Sequence, residues 1–215
     1  LKIYWLGHSC FHIVDSKGLS IVTDPFDESI GYRMPKLRAD VALISHEHYD
    51  HNNVEALQGN PVVLRGPGRH LIEGREFLGV ASYHDEKEGR LRGPNTIFCF
   101  VVDGVRICHL GDLGHHLSEK AKAEIGKVDL LMIPVGGIFT LDGPGASQVA
   151  KELCPRIIIP MHYSTEALTF ELEAVDRFLE GKDVEGPEKF LSITSNDLEM
   201  ERSKVVLLDY HGSDR

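Results

Sequence analysis

The sequence predicts one domain of mixed α and β structure over residues 1–215, and three observations predict it. Short β-rich runs alternate with amphipathic segments along the whole chain. No internal repeat of 20–50 residues and no low-complexity tract breaks that alternation. The composition, 42% hydrophobic and 26% charged over 215 residues, is that of an ordinary globular chain. A chain of this length buries about 70% of the surface it exposes when unfolded, enough for one sizeable core without a disulfide framework.

The first quarter reads as strands at Lys2–Leu6, Cys10–Val14 and Leu19–Asp24, separated by turns that contain glycine and serine. A fourth, Arg38–Ile44, runs into a histidine-rich loop backed by a short helical stretch at Asn53–Leu57. Further strands are expected at Val62–Arg65, Phe77–Tyr83, Thr96–Val102, Val105–Leu110, Leu130–Pro134, Arg156–Pro160 and Lys204–Leu208. Helices fit Ser118–Ile125, Ala146–Leu153 and Thr165–Leu179. In the last, Leu168, Leu172, Val175, Phe178 and Leu179 recur at helical spacing, with Thr165 as cap and Gly181 as stop. Gly186 and Pro187 mark a loop before the final strand. Helices interleaved with hairpins imply sheets covered by helices.

The formal charge is −10, which repels a polyanion at long range and argues against a nucleic-acid partner. No run reaches the roughly 18 apolar residues of a membrane span, and the amino-terminal run is too short for a signal-peptide core. The expectation is a cytoplasmic protein with a small-molecule substrate, and homo-oligomerisation is left open. Four cysteines show no CxxC pairing and sit in apolar stretches. Cys99 and Cys108 flank an Asp103-Gly104 hairpin turn, which makes them cross-strand neighbours. All four read as buried free thiols.

The chemistry concentrates in His46-Glu47-His48-Tyr49-Asp50-His51, directly after the apolar run Val41-Ala42-Leu43-Ile44. Residues two apart on an extended segment point the same way, so His46 and His48 converge on one cation. Asp50 and His51, at the turn beyond, face a second point a few ångströms away. Imidazole and carboxylate are the donors that zinc and similar divalent metals select. Elsewhere His84, Asp112 and His162 each follow an apolar strand, which gathers them along one sheet-end rim.

His46, His48, Asp50 and His51 match the HxHxDH signature, and the chain resembles the metallo-β-lactamase-fold hydrolases. The resemblance continues in the family's order through Asp24 in Thr23-Asp24-Pro25, His84 in Ser82-Tyr83-His84-Asp85, Asp112 in Gly111-Asp112-Leu113-Gly114 and His162 in Ile159-Pro160-Met161-His162-Tyr163. It implies an α+β fold, the four-layer αββα sandwich, and two divalent metal ions. Zinc is the first expectation, with manganese, iron and nickel as alternatives. His46, His48 and His84 would hold the first metal, and Asp50, His51 and His162 the second, with Asp112 bridging them. Asp24 would stand behind the ligands. A metal-bridging hydroxide would then attack the substrate, with Asp50 as the catalytic residue that also accepts a hydrogen bond from the nucleophile.

Gly7-His8-Ser9-Cys10-Phe11 and Pro134-Val135-Gly136-Gly137 resemble the small, stand-alone branch that includes ascorbate-6-phosphate lactonases and, more distantly, N-acyl-phosphatidylethanolamine phospholipases. The substrate expected from that likeness is a small ester, lactone or phosphoester. A phosphodiesterase or nuclease of the same fold is one alternative, and a noncatalytic metal-binding or sensing module is another. His48 stands where di-iron oxygen-reducing relatives carry Glu, so redox chemistry is not expected. The 53 residues after His162 leave little room for a large substrate domain of the glyoxalase II type. His8 either contacts a ligand or substrate or makes a structural hydrogen bond. His115 and His116 read as exposed at a helix start, and His12, His70, His109 and His211 as ordinary strand or surface residues. The loop from Gly136 to Gly143 reads equally as a substrate flap or a connector.

Overall fold

The computed structural model describes residues 1–199 and 202–210, so His211 lies outside the described residues. The chain begins with β1 (Lys2–Gly7), β2 (Cys10–Val14), β3 (Ser20–Thr23), β4 (Val41–Ile44) and β5 (Val62–Arg65). There follow β6 (Gly68–Ile72), β7 (Arg75–Tyr83), β8 (Pro94–Val102), β9 (Val105–His109), α1 (Glu119–Ile125), β10 (Leu130–Pro134), α2 (Gly143–Leu153) and β11 (Ile157–Met161). Last come α3 (Asp176–Leu179), β12 (Val184–Glu188), β13 (Leu191–Ser192) and β14 (Lys204–Leu208).

Among the described residues these strands form two mixed sheets, in the orders β13-β1-β2-β3-β4-β5 and β12-β14-β11-β10-β9-β8-β7-β6. In each, an antiparallel meander continues into parallel strands: β3, β4 and β5 in the first, and β9, β10, β11 and β14 in the second. Alternation decides which residues meet between the sheets. Ile3, Trp5, Phe11, Ile13, Ile21, Val41 and Leu43 of the first sheet join Phe77, Phe98, Phe100, Ile107 and Leu130 of the second in one core. The intervening Leu6, Cys10, Val22, Ala42 and Ile44 face the other way, into a smaller cluster with Phe26, Ile30, Tyr32, Ala39 and Leu57.

The expected α+β sandwich is thus present, with unequal outer layers. Helix α1 packs on β7, and α2 packs on β10 and α3. Over the first sheet there are single 3-10 turns at Glu28–Ile30 and Val54–Ala56 and irregular chain. Ser118 and Asp142 cap α1 and α2, accepting from the backbone N–H groups of Ala121 and Gly145.

The segment Thr165–Leu179 departs from expectation: only its last turn, Asp176–Leu179, is helical. A helix has one apolar stripe, but these residues serve two cores. Ala167, Leu168 and Phe170 pack on the smaller cluster, while Val175, Phe178 and Leu179 pack on the larger. The backbone between them bonds outward, Thr169 N–H to the Ile30 carbonyl at 3.0 Å and Glu173 N–H to that of Gly136 at 2.8 Å. Thr165 caps nothing; its hydroxyl lies 2.6 Å from that of Tyr32. Gly186 and Pro187, expected in a loop, fall within β12, which pairs in parallel with the edge of β14. Cys154 is exposed at the end of α2, whereas Cys10, Cys99 and Cys108 are buried. Cys99 and Cys108 are cross-strand partners with sulfurs 3.5 Å apart, as the hairpin spacing predicts.

Phe100 lies between the sheets, stacked on Phe77 with ring centroids 5.4 Å apart. Phe100→Ala is expected to cost about 3–5 kcal/mol of unfolding free energy, read from urea titration, with the metal centre's composition unchanged.

Candidate metal centre

Side chains from the C-terminal ends of strands in both sheets meet at one rim. His8 follows β1, Asp24 follows β3, and His46, His48, Asp50 and His51 follow β4. His84 follows β7, Asp112 lies three residues beyond β9, and His162 follows β11. All are buried except Asp50, which is half-buried, and His48, which is exposed.

Asp112 is the hub. Its Oδ2 lies 3.0 Å from His162 Nε2, 3.1 Å from His84 Nε2, 3.2 Å from His51 Nε2 and 3.9 Å from His46 Nε2. Ser9 donates to its Oδ1 at 3.3 Å, and its backbone N–H donates to Asn95 Oδ1 at 3.0 Å. Around this hub three groups bring one ligand atom per residue to within 4.8 Å of one another: His46, His48 and His84; His46, His51 and Asp112; and His8, His51 and His162.

The first group is the trio expected from the sequence. The last differs from expectation: His8, not Asp50, joins His51 and His162. Asp50 sits beside them, its Oδ2 3.1 Å from His8 Nε2 and 3.5 Å from His51 Nε2. The His8 ring packs against that of His162, with centroids 4.2 Å apart. Trp5 Nε1 and the His162 backbone N–H both donate to the His8 carbonyl, at 2.9 and 3.1 Å, which joins β1 to β11 at the rim.

Asp24 holds the histidine loop from behind. It accepts from the Ser45 backbone N–H and hydroxyl, both at 2.7 Å, and its Oδ2 lies 3.1 Å from His51 Nδ1. The Ser45 hydroxyl also lies 2.9 Å from His46 Nδ1. On the other side the Phe139 carbonyl lies 3.0 Å from His84 Nδ1. Ser9, Ser45, Asn95 and His109 were not singled out in the sequence. His109, read there as an ordinary strand residue, is buried with Nε2 2.9 Å from the Ser9 carbonyl and Nδ1 accepting from the Gly111 backbone. It fixes the turn that carries Asp112. Single polar residues in strands carry no spacing signal that would have found them. His116 is exposed as expected, but His115 is half-buried, because its Nε2 accepts from the Tyr83 backbone N–H.

The backbone here is strained. His8, Asp24 and His162 have φ of 53°, 38° and 52°, in the left-handed region that L-residues rarely occupy. Gly136 makes room for His162, because a Cβ on it would sit 2.1 Å from the His162 carbonyl oxygen.

Burial pushes His46 down to about 3 and His8 down to about 4, with neighbouring His51 and His162 adding to the effect. Both imidazoles therefore keep free lone pairs at neutral pH. Burial opposes charge on Asp112 too, yet His162 and His51 hold its carboxyl well below the usual range. His51 goes the other way: burial opposes its charge, but Asp112, Asp24 and Asp50 raise it well above the ordinary value. Asp24, Asp50 and Asp112 thus crowd negative charge into the rim, and among the described residues no Lys or Arg forms an ion pair with them. The buried His51 Nε2 is aimed at this cluster, 3.2 Å from Asp112 Oδ2 and 3.5 Å from Asp50 Oδ2, but makes no well-aligned hydrogen bond to either. Imidazole nitrogens around uncompensated carboxylates fit divalent cations of borderline softness.

A cleft of about 420 Å³ adjoins the centre, lined by His46, His48, Arg65, Tyr83, Arg92 and Asn95 among others. Arg65 is paired with Glu47 at 2.8 Å. Arg92 donates to the Ile138 carbonyl at 3.1 Å and lies over the Phe139 ring, which ties the Gly136–Gly143 loop to the cleft wall.

The profile of the Beta-lactamase superfamily domain matches residues 2–162, so fold and site together define a metal-dependent hydrolase of the metallo-β-lactamase superfamily. The UPF0173 metal-dependent hydrolase of Thermoplasma acidophilum is 32% identical over 192 residues, covering 77% of this chain and 84% of that protein. A UPF0173 protein of Pyrococcus abyssi is 32% identical over 185 residues with the same coverage. The crystal structure of a Thermotoga maritima protein, assigned to the Zn-dependent hydrolases of the superfamily, superposes with a TM-score of 0.79 at 38% identity, covering 96% of this chain and 97% of that one. The chain belongs to the UPF0173 family of metallo-β-lactamase-fold hydrolases.

Asp24→Asn keeps the shape but removes the charge behind His51 and Ser45. It is expected to weaken metal affinity about 10–100-fold, measured by competition with a chromophoric chelator, while the circular dichroism spectrum stays unchanged.

Proposed function

We propose that the chain is a dinuclear, zinc-dependent hydrolase of a small ester, lactone or phosphoester. The observation that carries this reading is the convergence on Asp112 Oδ2 of imidazoles from both clusters. His46, His48 and His84 would hold one cation, and His51 and His162, with Asp50 beside them, would hold the other, with the Asp112 carboxylate shared between the two clusters. Two cations held there would polarise the scissile group and lower the pKa of water. Zinc suits an imidazole-rich set and is the metal named for the Thermotoga maritima relative.

The protein's own groups supply the rest. Asp50, bonded to His8, is positioned to accept a proton from the attacking water. His8 fixes the carboxylate's orientation and so acts through Asp50. Asp24 and the Phe139 carbonyl fix the ring planes of His51 and His84. A cleft of this volume suits a small molecule. Arg92 is the cleft guanidinium with no carboxylate partner among the described residues, so it favours a substrate bearing one anionic group. That supports the lactone and phosphoester readings. Arg90 is paired with Glu88 at 3.8 Å and does not line the cleft. A single domain in the cytoplasm is the setting this reading carries; among the described residues no helix is long and apolar enough to cross a membrane.

Elemental analysis of protein purified without added metal is expected to find about two metals per chain, the number such a bridged site holds. Chelation should abolish turnover on a panel of lactones, aryl esters and phosphodiesters, and zinc or manganese should restore it. Asp112→Ala should remove metal and most activity from a chain that still folds; full activity with full metal content would refute the bridging role. Arg92→Ala should raise KM for anionic substrates about tenfold with kcat little changed, since a charge-assisted contact is worth roughly one such factor.

A further inference from the structure

The thin outer layer of the first sheet leaves a second concavity, of about 540 Å³, on the outer face of β1 and β2. Leu6, Val14 and Leu37 give it apolar walls, and Tyr4, His12 and Phe190 give it rings. Tyr4 stacks on His12 with centroids 5.8 Å apart and tilts against Phe190 at 5.3 Å. His12 is anchored by a 2.9 Å contact between its Nε2 and the Ser20 hydroxyl.

Lys2, Lys36 and Lys189 line the same groove, and no carboxylate does. All three are exposed, and among the described residues none forms an ion pair. Lys2 Nζ sits 5.4 Å from the centre of the Phe190 ring, so its ammonium is held at the rim by an aromatic face rather than by an acid. Pro35, Lys36 and Leu37 form one wall, flanked in sequence by Arg33 and by Arg38, the latter paired with Asp40 at 4.0 Å. In a chain of net charge −10, this is a local reversal of sign.

The groove shares no lining residue with the cleft beside the metal centre. Its charged end lies away from that centre: Lys2 pairs with Val14 at one end of the β1–β2 hairpin, whereas His8 sits in the turn at the other. Six residues of strand place Lys2 and His8 about 20 Å apart.

We infer that this groove is a binding site for a small amphipathic anion: a carboxylate, sulfonate or phosphate on an apolar body. The rings and aliphatic side chains take the body, and the three ammonium groups take the charge. The volume is that of a small-molecule site. Occupation needs no metal and no residue of the hydrolytic cleft, so the inference stands or falls apart from the proposed activity.

Titration calorimetry of the intact protein with two probes tests it: 8-anilinonaphthalene-1-sulfonate for an aromatic body and laurate for an aliphatic one. Saturable one-site binding of either probe is expected, weakened by salt. The triple variant Lys2→Gln, Lys36→Gln, Lys189→Gln changes only exposed side chains. It should bind that probe about tenfold or more weakly, with an unchanged circular dichroism spectrum and unchanged sedimentation. Phe190→Ala should weaken the aromatic probe in the same way. Binding of one probe alone supports the site and assigns the body of its ligand. Two results overturn the inference: no saturable binding of either probe, including the case of a parent protein that self-associates through this face, or equal affinity in the parent and the lysine variant.

Discussion

The structure depends on one electrostatic constraint, a carboxylate buried at the junction of two sheets. An isolated ionised carboxyl in such a place would be prohibitively costly. Asp112 escapes that cost because imidazoles from three other strand ends, and a serine hydroxyl, surround it. Each of those imidazoles is itself positioned by a partner or a close approach, so the hub fixes the relative placement of β4, β7, β9 and β11. Asp24 and Asp50 extend the negative charge, and it is this surplus of carboxylates among imidazoles that makes the rim a receptor for cations.

Convergence of this kind has a conformational cost. Strands end here by turning abruptly, and His8, Asp24 and His162 take up left-handed backbone to aim their side chains inward. Hydrogen bonds between the turns offset that strain. The His8 carbonyl accepts from both Trp5 and His162, and the His84 ring meets the Phe139 carbonyl. The loop after β10 is therefore pinned from two sides, by His84 and by Arg92.

The same economy shapes the outside of the molecule. Helices α1 and α2 cover the second sheet, while the first is covered by 3-10 turns and irregular chain. Residues 165–174 complete that cover, held mainly by backbone bonds to Ile30 and Gly136. Where the cover stops, at the β13-β1-β2 edge, apolar rings stay partly exposed beside unpaired lysines.

Much of the centre was legible in the sequence because its signal is local. His46, His48, Asp50 and His51 lie within six residues after an apolar strand, and His84, Asp112 and His162 each follow another. A strand's period of two and its end point are encoded in its own residues, so ligand type and approximate position come together. The apolar spacing of Thr165–Leu179 is local too, but it misled: helical periodicity states only that residues are apolar at intervals, and two separate cores claimed them. His8 shows the converse. Its neighbours in sequence say nothing of His162, which is 154 positions away, and only the approach of β1 to β11 lays the two rings together. By itself the sequence determined which chemistry gathers at the rim and which strands carry it. The tertiary structure alone decided which histidines share a cluster and which face of the first sheet stays open, because both depend on contacts between segments that no local pattern records.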